Sequence, residues 1–240
     1  MMNPVLILQF MENDAPAYLG TWLFQHGITS DLRLANASGG FPQRIDGYSA
    51  LALLGGGMSA NDDLPFLRSA QNLIDEAMQR DIPVLGHCLG GQLMARTLGA
   101  RVAASPAPEV GWHRMECIDS QLTHEWLGQT ASREVFQWHY EAFDLPKGAQ
   151  RLAASEHCPN QAFAIGPHLG LQFHVEVDAA KIESWLVQHD AEYEKAQHEF
   201  DTVHGVERVR RDTTRCLGAQ RRLADRIYRR WAGASDLIPQ

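Results

Sequence analysis

The sequence predicts a three-layer α/β fold: a mostly parallel central sheet with helices on both faces, a few additional antiparallel strands, and helices at the C-terminal end. Three observations carry this. Short apolar runs alternate with amphipathic stretches through the first hundred residues or so, and strand–helix alternation of that kind builds a parallel sheet. From about residue 100 to 172 the runs shorten and are separated by Gly, Pro and Asn, as antiparallel strands are. Beyond Asp178 the pattern is helical to the end.

Taken in order, "PVLILQF" reads as a buried first strand and "APAYLGTWLFQHG" as a helix closed by Gly27. "SDLRLANA" is a second strand, and "YSALALLGGG" a third that ends in glycines. "LPFLRSAQNLIDEAMQRD" is a helix with Leu67, Leu73, Ile74 and Met78 near helical spacing, diluted by Ala70 and Ala77. "IPVLGH" is a fourth strand, running through Cys88 into the helix "LGGQLMARTLGA". The runs "RVAAS", "HRMECI", "REVFQWH", "RLAAS", "QAFAIG" and "LGLQFHVEV" read as further strands. Near the end, Val209, Thr213, Cys216, Gln220, Leu223, Ile227 and Trp231 recur at three- and four-residue steps. That stripe has polar members but still requires an apolar partner, and burial within the same chain is the default.

With 240 residues the chain has room for one large domain or two small ones and for a sizeable core. Apolar content of 45% and charged content of 21% belong to an ordinary globular protein. The N-terminal apolar run is short, lacks a basic leader and meets Glu12 and Asp14 at once, which fits a strand rather than a signal peptide. No apolar stretch approaches the roughly 20 residues that span a bilayer, so no membrane association is expected. Cys88, Cys117, Cys158 and Cys216 are scattered without a C-x-x-C pair, a usage that suits the cytoplasm. The net charge of −8 is uneven: nine arginines between Arg208 and Arg230 stand against three acids, Glu207, Asp212 and Asp225. Such a tail can bind nucleic acid, but a solvated helix face, or one packed on its own body or on a second subunit, is the commoner outcome. The histidines lack H-E-x-x-H spacing, and the adjacent pairs His87–Cys88 and His157–Cys158 face opposite ways on a strand, so no metal site is expected.

Chemistry concentrates at "VLGHCLGGQ" (84–92), where Gly86 and Gly90 bracket Cys88 at a strand-to-helix turn. Such a turn projects a thiol outward, sets it at a helix N-terminus that favours the thiolate, and aims the next amide, that of Leu89, at a developing oxyanion. The alternative is a small buried residue at a crowded junction. A base is available in "GLQFHVEV": on an extended strand His174 and Glu176 share a face, so the carboxylate can orient the imidazole. Gly55, Gly56 and Gly57 end a strand, either as a plain turn or as a loop whose amides face a ligand.

"GHCLGGQ", "LLGGGMSAND" and "LQFHVEV", in that order, resemble class I glutamine amidotransferase domains, especially the stand-alone set similar to the glutaminase part of GMP synthetase. "FQWHYEAFDLP", "LAASEHCPNQAF" and the Arg-rich last helix look like that set too. The resemblance implies a flavodoxin-like arrangement of the three layers, an amidotransferase domain over residues 1–178, and a helical extension over 179–240 packed on it. It implies a triad of Cys88, His174 and Glu176 and an oxyanion hole from the amides of Gly56 and Leu89. Gln92 and Gly57 would contact substrate, with the backbone around Trp138, His139 and Tyr140 flanking it. Three positions depart from the family pattern: Tyr140 stands where a small residue is common, and Gly57 and Val175 where proline is frequent.

The implied reaction is hydrolysis of a γ-glutamyl amide through a cysteinyl thioester, releasing glutamate and ammonia without a cofactor. Neither an S-G-G-x-D-S loop nor a Walker A motif is present, so ammonia would pass to a separate synthase partner. A γ-glutamyl peptidase acting on glutathione-like peptides is the nearest rival; a non-catalytic regulatory subunit is another. An intracellular protease of related architecture would carry histidine directly after the cysteine, where Leu89 stands. A homodimer is compatible with all of these.

Overall fold

The structure is a computed structural model and describes residues 3–188, 191–234 and 237. In chain order these form β1 (Val5–Gln9), α1 (Ala17–Gln25), β2 (Ser30–Leu34), β3 (Ala50–Leu53), α2 (Pro65–Gln79), β4 (Val84–His87) and α3 (Leu89–Thr97). Then come β5 (Val102–Cys117), α4 (Gln121–Leu127), β6 (Ser132–Phe143), β7 (Gln150–Ala154), β8 (Ala162–Ile165) and β9 (His168–Leu171). Helices α5 (Ala179–Val187), α6 (Ala191–Glu199) and α7 (Val206–Gly233) follow.

The strands form one sheet in the order β2-β1-β3-β4-β9-β8-β7-β5-β6. From β2 to β9 the pairings are parallel; from β9 to β6 they are antiparallel. The parallel half therefore has the strand order of a flavodoxin-like sheet, and the antiparallel half widens it. Every residue of β1 is buried, and alternate side chains feed opposite layers. Val5 and Ile7 pack with Trp22 of α1 and with Ile227 and Trp231 of α7. Leu6 and Leu8 pack with Leu67 and Leu73 of α2 and Leu93 of α3. The stripe on the last helix thus finds its partner inside the chain.

Several elements differ from the sequence expectation. "RVAAS" and "HRMECI" are two ends of the single strand β5, whose register against β6 shifts between Ala104 and Glu109. Pro106 and Pro108 lie in that interval; proline has no N–H for a ladder, and a bulge absorbs both. "LGLQFHVEV" leaves the sheet after Leu171, and His174 returns only through an isolated bridge to Phe136. Alternation persists there, with Phe173, Val175 and Val177 buried among apolar groups, but extended backbone with period two need not be a ladder strand. Helix α4 was not anticipated; its signals were Ser120, which accepts from the Thr123 amide, and Gly128 at the C-cap with φ 83°. The region after Asp178 is helical as expected, forming α5, α6 and α7 among the described residues; the parts of that expectation over 189–190, 235–236 and 238–240 lie outside the described residues. Among the described residues, no helix is long and apolar enough to cross a membrane.

Candidate active site

Strands β3, β4 and β9 deliver their following residues to one end of the sheet, the carboxyl ends of parallel strands where α/β folds hold ligands. Cys88 is the turn between β4 and α3, with φ 48° and ψ −106°. This left-handed backbone costs a non-glycine residue roughly 1–3 kcal/mol. Its neighbours make the turn possible: a Cβ on Gly86 would lie 2.5 Å from the Gly90 carbonyl carbon, and one on Gly90 would lie 2.6 Å from Leu53 Cβ. The Cys88 amide donates to the Leu171 carbonyl at 2.9 Å, tying the turn to β9.

His174 Nδ1 lies 2.6 Å from Glu176 Oε1. A carboxylate accepts, so Nδ1–H donates and Nε2 is left for the Cys88 side chain, with which the imidazole interacts. Both His174 and Glu176 are buried. Burial alone would lower the His174 pKa, but the charges of Glu176 and Cys88 outweigh it and raise it to about 10. For Glu176, burial would raise the pKa; His174, His87 and Lys181 more than offset this and hold it well below the usual carboxylate range. Lys181 Nζ stands 3.9 Å from Glu176 Oε1 and 3.0 Å from Asp14 Oδ1. Trp185 closes the other side of His174, edge to face at 4.9 Å, and its Nε1 donates to Asp14 at 3.0 Å.

The glycine loop has a separate reason for each glycine. A Cβ on Gly55 would come within 2.8 Å of His174 Cε1; on Gly56 it would meet Met58 Sδ at 2.7 Å and Leu89 Cδ2 at 2.8 Å. Among the described residues, neither the Gly56 nor the Leu89 amide donates to a protein acceptor. The Gly57 amide is committed differently: it donates to Met11 Sδ at 3.0 Å.

A cavity of about 410 Å³ opens over the thiol. Of the ten residues singled out in the sequence, Cys88, His174, Gly56, Gly57, Gln92, Trp138, His139 and Tyr140 line it. Leu89 and Glu176 are not among the lining residues: the Leu89 side chain packs against Gly56, and Glu176 stands behind His174. Gln92 Nε2 donates to the Glu141 carbonyl at 2.9 Å. The Trp138 carbonyl accepts from Cys88 Sγ at 3.7 Å, and Gln172 Nε2 donates to that sulfur at 3.7 Å. Sequence reasoning missed Met11, Asp14, Trp185, Gln188 and Glu192 as lining residues. The last three come from the C-terminal helical region, and the only signal for them was the aromatic Trp185 on an amphipathic helix.

Glu109, His139 and Cys158 bring potential metal-ligand atoms within 4.8 Å of one another. Those atoms are already engaged. Glu109 accepts from Gln161 at 2.7 Å and Ser155 at 2.7 Å, and His139 faces Glu109 at 3.1 Å and the Glu141 carbonyl at 3.2 Å. Burial pushes the Cys158 thiol up to about 12, away from the thiolate a metal would take. The cluster is a hydrogen-bonded support for β6 beside the cavity.

A thiol on a strand-to-helix elbow, a buried imidazole–carboxylate pair and a glycine loop on a doubly wound sheet define a class, and the chain belongs to the glutamine amidotransferase class-I family, whose model matches residues 35–192. It is 32% identical over 182 residues to the glutamine amidotransferase-like protein YfeJ of Salmonella typhimurium, covering 73% of this chain and 75% of that one. It is 35% identical over 120 residues to the glutamine-hydrolyzing GMP synthase of Thermomicrobium roseum; that match covers 50% of this chain but only 22% of the synthase. The solved structure of a glutamine amido transferase from Methylobacillus flagellatus superposes with a TM-score of 0.93 at 35% identity, covering 98% of this chain and 96% of that one.

Proposed function

We propose that the protein is a glutaminase-type hydrolase that cleaves a γ-glutamyl amide through a thioester on Cys88, releasing glutamate and ammonia. The observation that carries this reading is the 2.6 Å contact between a buried His174 and a buried Glu176 beside a thiol on a left-handed turn. Such a pair holds the imidazole in one tautomer and stabilises its protonated form. The proton that Cys88 gives up is held on His174 when the sulfur attacks the amide carbon, and the amides of Gly56 and Leu89 receive the oxyanion. As the C–N bond breaks, His174 returns that proton to the departing nitrogen, which leaves as ammonia. Water, deprotonated by the same imidazole, then attacks the thioester, and glutamate leaves as the sulfur regains its proton. Gln92 and the backbone of Trp138, His139 and Tyr140 hold the amino-acid end of the substrate, while Gly57 acts through the Met11 contact that fixes the loop.

The test is glutamate release from L-glutamine by the purified chain, with Cys88→Ala as the blank and intact mass of quenched enzyme reporting the acyl-enzyme. Cysteine-dependent release with an adduct of one glutamyl group supports the reading; release that survives in Cys88→Ala ends it. A cavity of this size is in the range that holds ligands larger than a minimal amide. That favours, as a second reading, γ-glutamyl compounds with a substituent on the amide nitrogen, such as glutathione-like peptides. Protection of Cys88 from alkylation by such peptides at concentrations where glutamine does not protect would select it.

The acceptor of the ammonia is proposed to be a separate synthase, in keeping with the name of the Thermomicrobium roseum relative, most of which lies outside the match. A cytoplasmic location and a homodimeric state belong to the same proposal.

A further inference from the structure

Behind the cavity, three buried polar atoms have no hydrogen-bond partner among the described residues: Glu176 Oε2, His87 Nε2 and the Tyr228 hydroxyl oxygen. All three residues have no exposed surface, and they come from three places: the last residue of β4, the bend after β9, and α7. His87 Nε2 lies 3.9 Å from Glu176 Oε2. The His87 and Tyr228 rings meet edge to face at 6.4 Å. Burial first, and then the charge of Glu176, raise the Tyr228 phenol well above its ordinary value, so the hydroxyl keeps its proton.

Counting donors decides what this corner can hold. His87 Nδ1 faces the Leu53 carbonyl at 3.1 Å, and a carbonyl only accepts, so Nδ1 carries the ring proton. Burial lowers the His87 pKa, leaving Nε2 an acceptor. Glu176 is ionised, so Oε2 is an acceptor as well. Two acceptors therefore face each other and Tyr228 supplies a single proton, one short of what is needed. A water has two protons to give and a lone pair to receive the third, and two bonds of about 2.8–3.0 Å can close a 3.9 Å gap. Three polar partners is also the usual number around a buried water.

We propose that His87, Glu176 and Tyr228 bind one ordered water, which donates to Glu176 Oε2 and His87 Nε2 and accepts from the Tyr228 hydroxyl, so that α7 holds the carboxylate that orients His174. Tyr228 and His87 are then positioning residues, acting through Glu176 and never touching substrate. The water site rests on the three unpartnered atoms, their spacing and the donor count; its effect on turnover rests on the thioester reading above.

Two measurements test the two halves. A crystal structure of the full chain, at a resolution that shows ordered water, is expected to show one peak within hydrogen-bond distance of all three atoms. A direct hydrogen bond from Tyr228 to Glu176, or between His87 and Glu176, with no such peak would overturn the site even if the enzyme is fully active. In Tyr228→Phe, kcat is expected to fall about three- to tenfold at unchanged KM, and the downfield proton resonance of the His174 Nδ1–H···Glu176 bond to move. A variant that only melts earlier, with kcat and that resonance as in the wild type, would overturn the positioning role. If the wild-type chain turns over no γ-glutamyl amide, the thioester reading falls while the water peak and the resonance still decide this one.

Discussion

Glu176 has no exposed surface yet stays ionised, because His174 donates into it at 2.6 Å and Lys181 stands 3.9 Å away. That arrangement makes stability depend on pH in a defined direction. His174 rises from 6.5 to about 10 on folding, so its contribution is fully present below the unfolded value and is lost as pH climbs through about 10. Glu176 moves the other way, from 4.5 downward; its contribution is present above the unfolded value and lost as pH falls through the depressed one. Both are complete only between about pH 4.5 and 6.5. From pH 6 to 9 the melting temperature of the wild type is therefore expected to fall more than that of Glu176→Gln, which no longer holds the imidazolium; parallel curves would contradict the pairing. The same variant is expected to lose about 10²–10⁴ in kcat, since an amide presents the wrong partner to Nδ1. Gly55→Ala probes the neighbouring contact: the added methyl pushes on His174 Cε1 from 2.8 Å. A displacement on that scale is expected to lower kcat by about 10²-fold, read at saturating glutamine beside an unshifted far-ultraviolet spectrum. Cys88, His174, Glu176 and the glycines were legible at this scale because chemistry restricts which residue types can stand there. Met11 and Asp14 were not, because a lining residue is chosen by where its loop passes.

At the scale of elements, the polar members of the α7 stripe have specific work. Thr213 accepts from Trp112 Nε1 at 2.9 Å, and Gln220 Oε1 accepts from the Phe136 amide at 2.7 Å. The carbonyl of that same Phe136 accepts from the His174 amide at 2.9 Å. Gln220→Leu keeps the volume but strands a buried N–H on β6, and is expected to cost about 1–3 kcal/mol in urea denaturation. It should also lower turnover through the His174 bridge; an unchanged unfolding midpoint would mean that Phe136 finds another acceptor. The sequence pattern showed the stripe but not these bonds, since periodicity reports burial and is silent on partners. The parallel strands and α1, α2 and α3 were legible because each is a short uniform run with its own punctuation. The antiparallel half was read in pieces, because Pro106 and Pro108 look like a break between strands when they occupy a bulge within one. The end of β9 was misjudged for the opposite reason: Phe173, Val175 and Val177 continue the alternation although the ladder has stopped.

For the whole molecule, the question is whether residues after Asp178 form an accessory or part of one cooperative unit. Trp185, Gln188 and Glu192 line the cavity, so the site draws on both regions. Leu223, Ala224, Ile227, Tyr228 and Trp231 share a single core with Val5, Ile7 and Trp22. Trp231 Nε1 also donates to the Pro83 carbonyl at 3.2 Å, at the start of the strand that leads to Cys88. Its outward face is ion-paired in part, Arg210 to Glu183 and Arg230 to Glu125, and exposed pairs of that kind are worth little. The apolar face is different: four large side chains at about 1.5–3 kcal/mol each sum to the order of the 5–15 kcal/mol by which a whole domain is stable. Removing residues 206–240 should therefore abolish the folded state rather than trim it, giving an insoluble fragment or one without a cooperative melt. By contrast Arg222→Glu, on the exposed side of the same helix, should shift the melting temperature by no more than a degree or two. A soluble 1–205 fragment that melts where the full chain does would mean that the sheet supplies its own cover on that face, and that α7 is a separable attachment after all.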